Sequence, residues 1–191
     1  MQTPGSIQLT SGIFWQSAMI AAVLDAGLLL IVWRLIPPDR FFPLRRYVIV
    51  LAGVFWGLLG ISIVLYFWDG YYQYFYPGWM RGWGIVLFAP SIGAVLAVLF
   101  YWIAGRFRSR PIPVFFLAVG AESFLEHLMG IQSLQIMQIP MFRGVDPLSV
   151  LVFSIPEYIL YWSVILLTAL LIHRVAARIR QGTEPKPAPM T

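Results

Sequence analysis

Five long apolar stretches, divided by short segments rich in arginine, proline or aromatic residues, set the pattern of this chain. They run over about 13–36, 47–68, 85–105, 113–131 and 148–174, each near the roughly 20 residues that a helix needs to cross a hydrocarbon core. The fold class they predict is all-α: one polytopic transmembrane helical domain over residues 1–180, followed by a cytoplasmic tail at 181–191. That tail carries three prolines and few apolar residues, a composition expected to be disordered.

Small residues interrupt the apolar runs at helical spacing. Gly53, Gly57 and Gly60 recur at i, i+4 and i+7 in the second run, and Ala89, Gly93 and Ala97 at i, i+4 and i+8 in the third, beside Pro90. Stripes of this kind let two helix backbones approach closely, so both are expected to be packing seams, with a kink near Pro90. In the first run Ala18, Ala21 and Ala22 lie within about 60° of Asp25, which puts that acid on a face suited to a neighbouring helix.

The fourth run departs from the apolar pattern. Its segment Ala121 to Ile131, AESFLEHLMGI, holds Glu122, Glu126 and His127. With Glu122 at 0°, Glu126 falls at about 40°, Gly130 at 80°, Ser123 at 100° and His127 at 140°, while Phe124, Leu125, Leu128 and Met129 take the rest of the circumference. Ionisable groups at membrane depth face a protein interior and mark a working site. The fifth run offers a matching polar face: with Glu157 at 0°, Tyr161 lies near 40°, Ser154 near 60° and Tyr158 near 100°. By helical rise Glu122, Glu126, Glu157 and Asp25 share one outer-half layer of the bilayer, with Glu122 expected opposite Glu157. Between the two runs, Gln132, Gln135 and Gln138 alternate with apolar residues. This piece is expected to lie as a short amphipathic segment in the interface and to cap the layer.

Composition agrees with a membrane protein: 60% of the 191 residues are hydrophobic and 11% charged, with mean hydropathy +0.79. The net charge of +5 does not point to nucleic acid, because the basic residues are confined to particular segments. Arg34, Arg40, Arg45, Arg46, Arg106, Arg108, Arg110, Arg174, Arg178, Arg180 and Lys186 fall on one side of the predicted topology, against Arg81 and Arg143 on the other. The positive-inside rule then places the N-terminus outside and the C-terminus in the cytoplasm, and the chain is expected to be a multi-pass protein of the cell's inner (cytoplasmic) membrane. The N-terminal residues lack a basic n-region, so the first run is expected to remain as an uncleaved span. The tyrosines and tryptophans of Asp69 to Gly84 are expected to form an interfacial aromatic belt.

Several chemistries would use the polar layer. Acid/base work on a lipid or isoprenoid, of isomerase or hydratase type, would employ Glu122 and Glu157 as the proton-exchanging pair. His127 would then be the relay and Tyr161 an orienting donor, with Glu126, Asp25, Tyr158 and Ser123 binding or relaying. A metal reading would gather Glu122, Glu126, His127 and Glu157; a proton relay would string the acids by depth. The structural alternative is that these groups hold helices in register or dock a partner subunit or a second copy, and the chain reads first as such a subunit or structural component. Cysteine is absent, which removes iron–sulfur clusters and thiolate chemistry. No nucleotide-binding motif occurs, and His173 and His127 lie too far apart in depth for a haem held by both.

Overall fold

In hydrocarbon every backbone N–H and C=O must find its partner within the segment, so each apolar run folds as a helix. The structure is a computed structural model that describes residues 11–64, 73–74, 83–138 and 147–183. In chain order its elements are α1 (Ser11–Leu35), the one-turn α2 (Pro38–Phe41), a 3-10 turn (Phe42–Leu44), α3 (Arg45–Val64), β1 (Gln73–Tyr74) and α4 (Trp83–Arg106). After these come α5 (Pro111–His127), a π-helical turn (Leu128–Ser133), β2 (Met137–Gln138) and α6 (Pro147–Thr183). Among the described residues, five stretches are long and apolar enough to cross a membrane: Trp15–Leu35, Pro38–Ser62, Gly84–Arg106, Pro111–Ile131 and Val152–Arg180. The chain is a multi-pass membrane protein that is helical, among the described residues, apart from one two-residue strand pairing.

The aromatic belt expected over Asp69 to Gly84 lies mostly outside the described residues. The N-terminal residues 1–10, Arg81, Arg143 and the tail beyond Thr183 lie wholly outside them.

Helices α3, α4, α5 and α6 pack in a ring, each against the next, and α1 lies outside the ring along α6. At the centre sits the fully buried Trp162 of α6, whose ring meets Trp56 of α3 at 5.2 Å, Phe100 of α4 at 5.0 Å and Phe115 of α5 at 5.6 Å. Each ring helix thus contributes one aromatic side chain to the hub. The outer faces are as apolar as the inner ones: Leu87 is 80% exposed and Val23 72%, whereas Asp25, Ser123, His127, Ser154 and Ser163 are buried. That inverted polarity is expected where the surroundings are acyl chains rather than water.

The glycine stripes meet each other, which fixes how α3 and α4 pair. A Cβ added at Gly53 would lie 3.2 Å from the Pro90 carbonyl oxygen, one at Gly57 3.1 Å from the Pro90 ring, and one at Gly60 3.2 Å from the Ala89 side chain. At Gly93 the approach is closest, since a Cβ would come within 2.5 Å of the Ala52 carbonyl oxygen. Pro90 stands inside α4 without a break in the helix.

Two segments differ from the sequence expectation. Residues 37–46 are a folded bend rather than a charged linker: Pro38 starts α2, and the buried Phe41 and Leu44 turn into the bundle between the exposed Arg40 and Arg45. The Phe41 ring stacks on Tyr101 of α4 at 4.5 Å, and the Tyr101 hydroxyl donates to the Phe41 carbonyl at 3.2 Å. The glutamine-bearing segment is likewise not a separate amphipathic helix. The chain leaves α5 through the π-helical turn, with Leu134 N–H donating to Met129 C=O at 2.7 Å, and reverses at Gln135, whose φ is 52°. Met137 and Gln138 then pair antiparallel with Tyr74 and Gln73, tying the α3–α4 and α5–α6 connections together. The wider turn shifts residues off the three-residue period that the glutamines follow. Helix α6 also continues past Arg174 to Thr183, a length of about 55 Å at helical rise.

The seam gives a direct test. Gly93→Val should strike the Ala52 backbone and lower the stability of the detergent-solubilised protein by about 2–3 kcal/mol. Gly27→Ala on α1, where a Cβ meets nothing within 4 Å, should leave the melting temperature unchanged or raise it, because alanine favours the helix. Thermal unfolding followed by circular dichroism compares the two.

Candidate functional site

On α5 the turns carrying Glu122, Ser123, Glu126 and His127 face α6, and on α6 Ser154, Glu157, Tyr158 and Tyr161 occupy the turns below its start. Ser123 fixes the register: its hydroxyl donates to the Ser154 carbonyl at 3.1 Å and lies 3.3 Å from the Ser154 hydroxyl. One turn further, His127 Nδ1 lies 2.8 Å from the Ser123 carbonyl. A carbonyl only accepts, so Nδ1 carries the proton in that bond. The same imidazole meets the Tyr158 ring edge to face at 5.7 Å.

The acids are engaged by tyrosines of the same chain. Tyr158 donates its hydroxyl across the helix interface to Glu126, and Tyr161 donates to Glu157 one turn before it on α6. Aromatic rings of α3 back both donors, Trp56 against Tyr158 at 6.2 Å and Phe55 against Tyr161 at 5.0 Å. Glu157 is within electrostatic reach of His127, and Glu122 of Glu126.

The structure therefore brings Glu126, His127, Ser123, Glu157, Tyr158 and Tyr161 together, and the carboxylate hydrogen bond that crosses between α5 and α6 there joins Glu126 to Tyr158. Helical side chains lean toward the N-terminus of their own helix. In the antiparallel pair α5 and α6, Glu126 and Tyr158 consequently lean toward each other and close the contact. Glu122 keeps one buried oxygen, Oε2, without a hydrogen-bond partner among the described residues, and so does Asp25 with Oδ2. Asp25 shares the inward face of α1 with Val32, and α1 packs on α6. Ser154 belongs to the site although it stood outside the expected set; its place three residues before Glu157 on the same face was the available signal.

The metal grouping of Glu122, Glu126, His127 and Glu157 does not assemble. Among the described residues no three of histidine, aspartate and glutamate converge on a position for an ion. The reason is visible in the contacts: two of the carboxylates are turned onto tyrosine hydroxyls and the imidazole onto a backbone carbonyl. His173 stands at the other end of α6, its ring 5.7 Å from Tyr47 at the start of α3.

No family model, curated protein or solved structure matches this chain. The fold and the site define it as a five-span helical membrane protein with a polar layer shared by α5 and α6.

Tyr158→Phe should leave Glu126 without its donor and destabilise the protein by about 1–2 kcal/mol. In a double-mutant cycle with Glu126→Gln, a coupling energy of roughly 0.6 kcal/mol, and at most about 1.7, is expected, the mean and maximum found for hydrogen bonds between membrane helices. Unfolding in mixed micelles measures it, and a coupling near zero would remove the Tyr158–Glu126 bond from the account of the interface.

Proposed function

We propose that this protein is a subunit or structural component of a membrane assembly in the inner, cytoplasmic membrane, with its N-terminus outside and its C-terminus in the cytoplasm. The orientation rests on the arginines at positions 34, 40, 45, 46, 106, 108, 110, 174, 178 and 180 at one end of the helices. The functional reading rests on one observation: Glu126 and Glu157, the acids nearest His127, each accept a hydroxyl from a tyrosine of this chain. Acids bonded within the chain in this way, beside the Ser123–Ser154 contact, hold α5 and α6 in one register and leave a rigid helical surface for a partner subunit or second copy.

A second reading is favoured by Glu122, whose buried Oε2 has no hydrogen-bond partner among the described residues and which lies within electrostatic reach of another carboxylate, Glu126. Such a group can exchange a proton with a lipophilic substrate or pass it to Glu126.

Purification from native membranes in a mild detergent separates the two. The subunit reading expects a stoichiometric protein partner or self-association, and Glu122→Gln should leave both assembly and melting temperature unchanged or slightly improved. A solitary monomer that converts a lipid, and loses about 10²–10⁴-fold in rate on Glu122→Gln, would replace it with the enzyme.

A further inference from the structure

At the arginine-rich end of the bundle, away from the carboxylate layer, a cleft of about 690 Å³ opens between the 3-10 turn, the start of α3 and the end of α4. Arg45, Arg106 and Arg108 line it together with Phe42, Tyr101 and Trp102, and no carboxylate does so among the described residues. The volume lies within the range of about 300–1,000 Å³ usual for small-molecule sites. Three cations around one concavity repel each other unless an anion joins them. We propose that this cleft binds the phosphate headgroup of an anionic glycerophospholipid of the same leaflet.

Depth, geometry and continuity with the lipid surface support that occupant. The spans Gly84–Arg106 and Pro111–Ile131 end and begin on either side of Arg108, and Arg45 stands near the start of Pro38–Ser62, so the three guanidinium groups lie at headgroup level. Arg106 is already held, its guanidinium 4.6 Å above the Trp102 ring; a planar guanidinium fixed on an aromatic face keeps its N–H fork for a phosphate. The floor is rigid, because Tyr101 stacks on Phe41 and donates to its carbonyl. From Trp102, which is 57% exposed, the exposed side chains of Leu99 and Val95 continue along one face of α4 toward the membrane centre. Headgroup in the cleft and acyl chains along that face fit a phospholipid; a free phosphate uses only the first part. Basic pockets between helices on the cytoplasmic side commonly take anionic headgroups.

Native mass spectrometry of the full chain in detergent, titrated with phosphatidylglycerol, phosphatidylcholine or inorganic phosphate, tests this. Phosphatidylglycerol should be retained at least tenfold better than phosphatidylcholine. With each arginine contributing about fivefold, the Arg45→Gln, Arg108→Gln double variant should lose at least tenfold of that retention, and Arg45→Lys, Arg108→Lys should keep most of it. Arg178→Gln, Arg180→Gln, which removes the same charge from α6 outside the cleft, should change it less than twofold. Equal retention of the two lipids, or an equal loss in the α6 variant, would overturn the site. Full displacement of phosphatidylglycerol by millimolar phosphate would overturn the lipid as its occupant.

Discussion

Close van der Waals contact between helix backbones is the interaction on which this bundle depends. Acyl chains are as apolar as leucine, so burying leucine between helices gains little, and association must come from fit and from polar contacts. The α3–α4 seam supplies the fit: glycines on one helix admit the carbonyl and ring of Pro90, and Gly93 admits the Ala52 carbonyl from the other side. Once these two helices are joined, their aromatic side chains Trp56 and Phe100 face inward together, and Trp162 of α6 and Phe115 of α5 close the hub around them.

Polar contact supplies the second part, and it is concentrated where α5 meets α6. A serine pair sets the register and a tyrosine bridges it to Glu126, while α3 braces both tyrosine donors with its own rings. Each such bond contributes on the order of 0.6 kcal/mol between membrane helices. The layer is therefore a device for specifying alignment more than for holding the bundle together. Asp25 Oδ2 and Glu122 Oε2 stand apart, since they are buried and have no hydrogen-bond partner among the described residues.

The opposite end is built on different terms. There the aromatic anchors Phe41 and Tyr101 bind the α1–α3 bend to α4, and the arginines between and beyond them stay exposed. One end of the molecule turns its carboxylates onto tyrosine hydroxyls and the other leaves its arginines exposed.

Much of the architecture was legible in the chain because a bilayer leaves few options. Apolar runs of spanning length can only be helices, and stripes such as Gly53–Gly57–Gly60 can serve close approach whatever their partner. The polar faces of α5 and α6 followed from a fixed angular period, so Glu126, His127, Ser123 and Tyr158 could be placed on facing surfaces. Which residue meets which was not legible. Register depends on the loops and on the lean of side chains in antiparallel helices, and these matched Glu126 with Tyr158 and Ser123 with Ser154. The inward turn of Phe41, the reversal at Gln135 and the arginine-lined cleft were hidden for the same reason. Each arises where segments distant in sequence meet, and a one-dimensional pattern carries the period of a helix but not the distance to its neighbour.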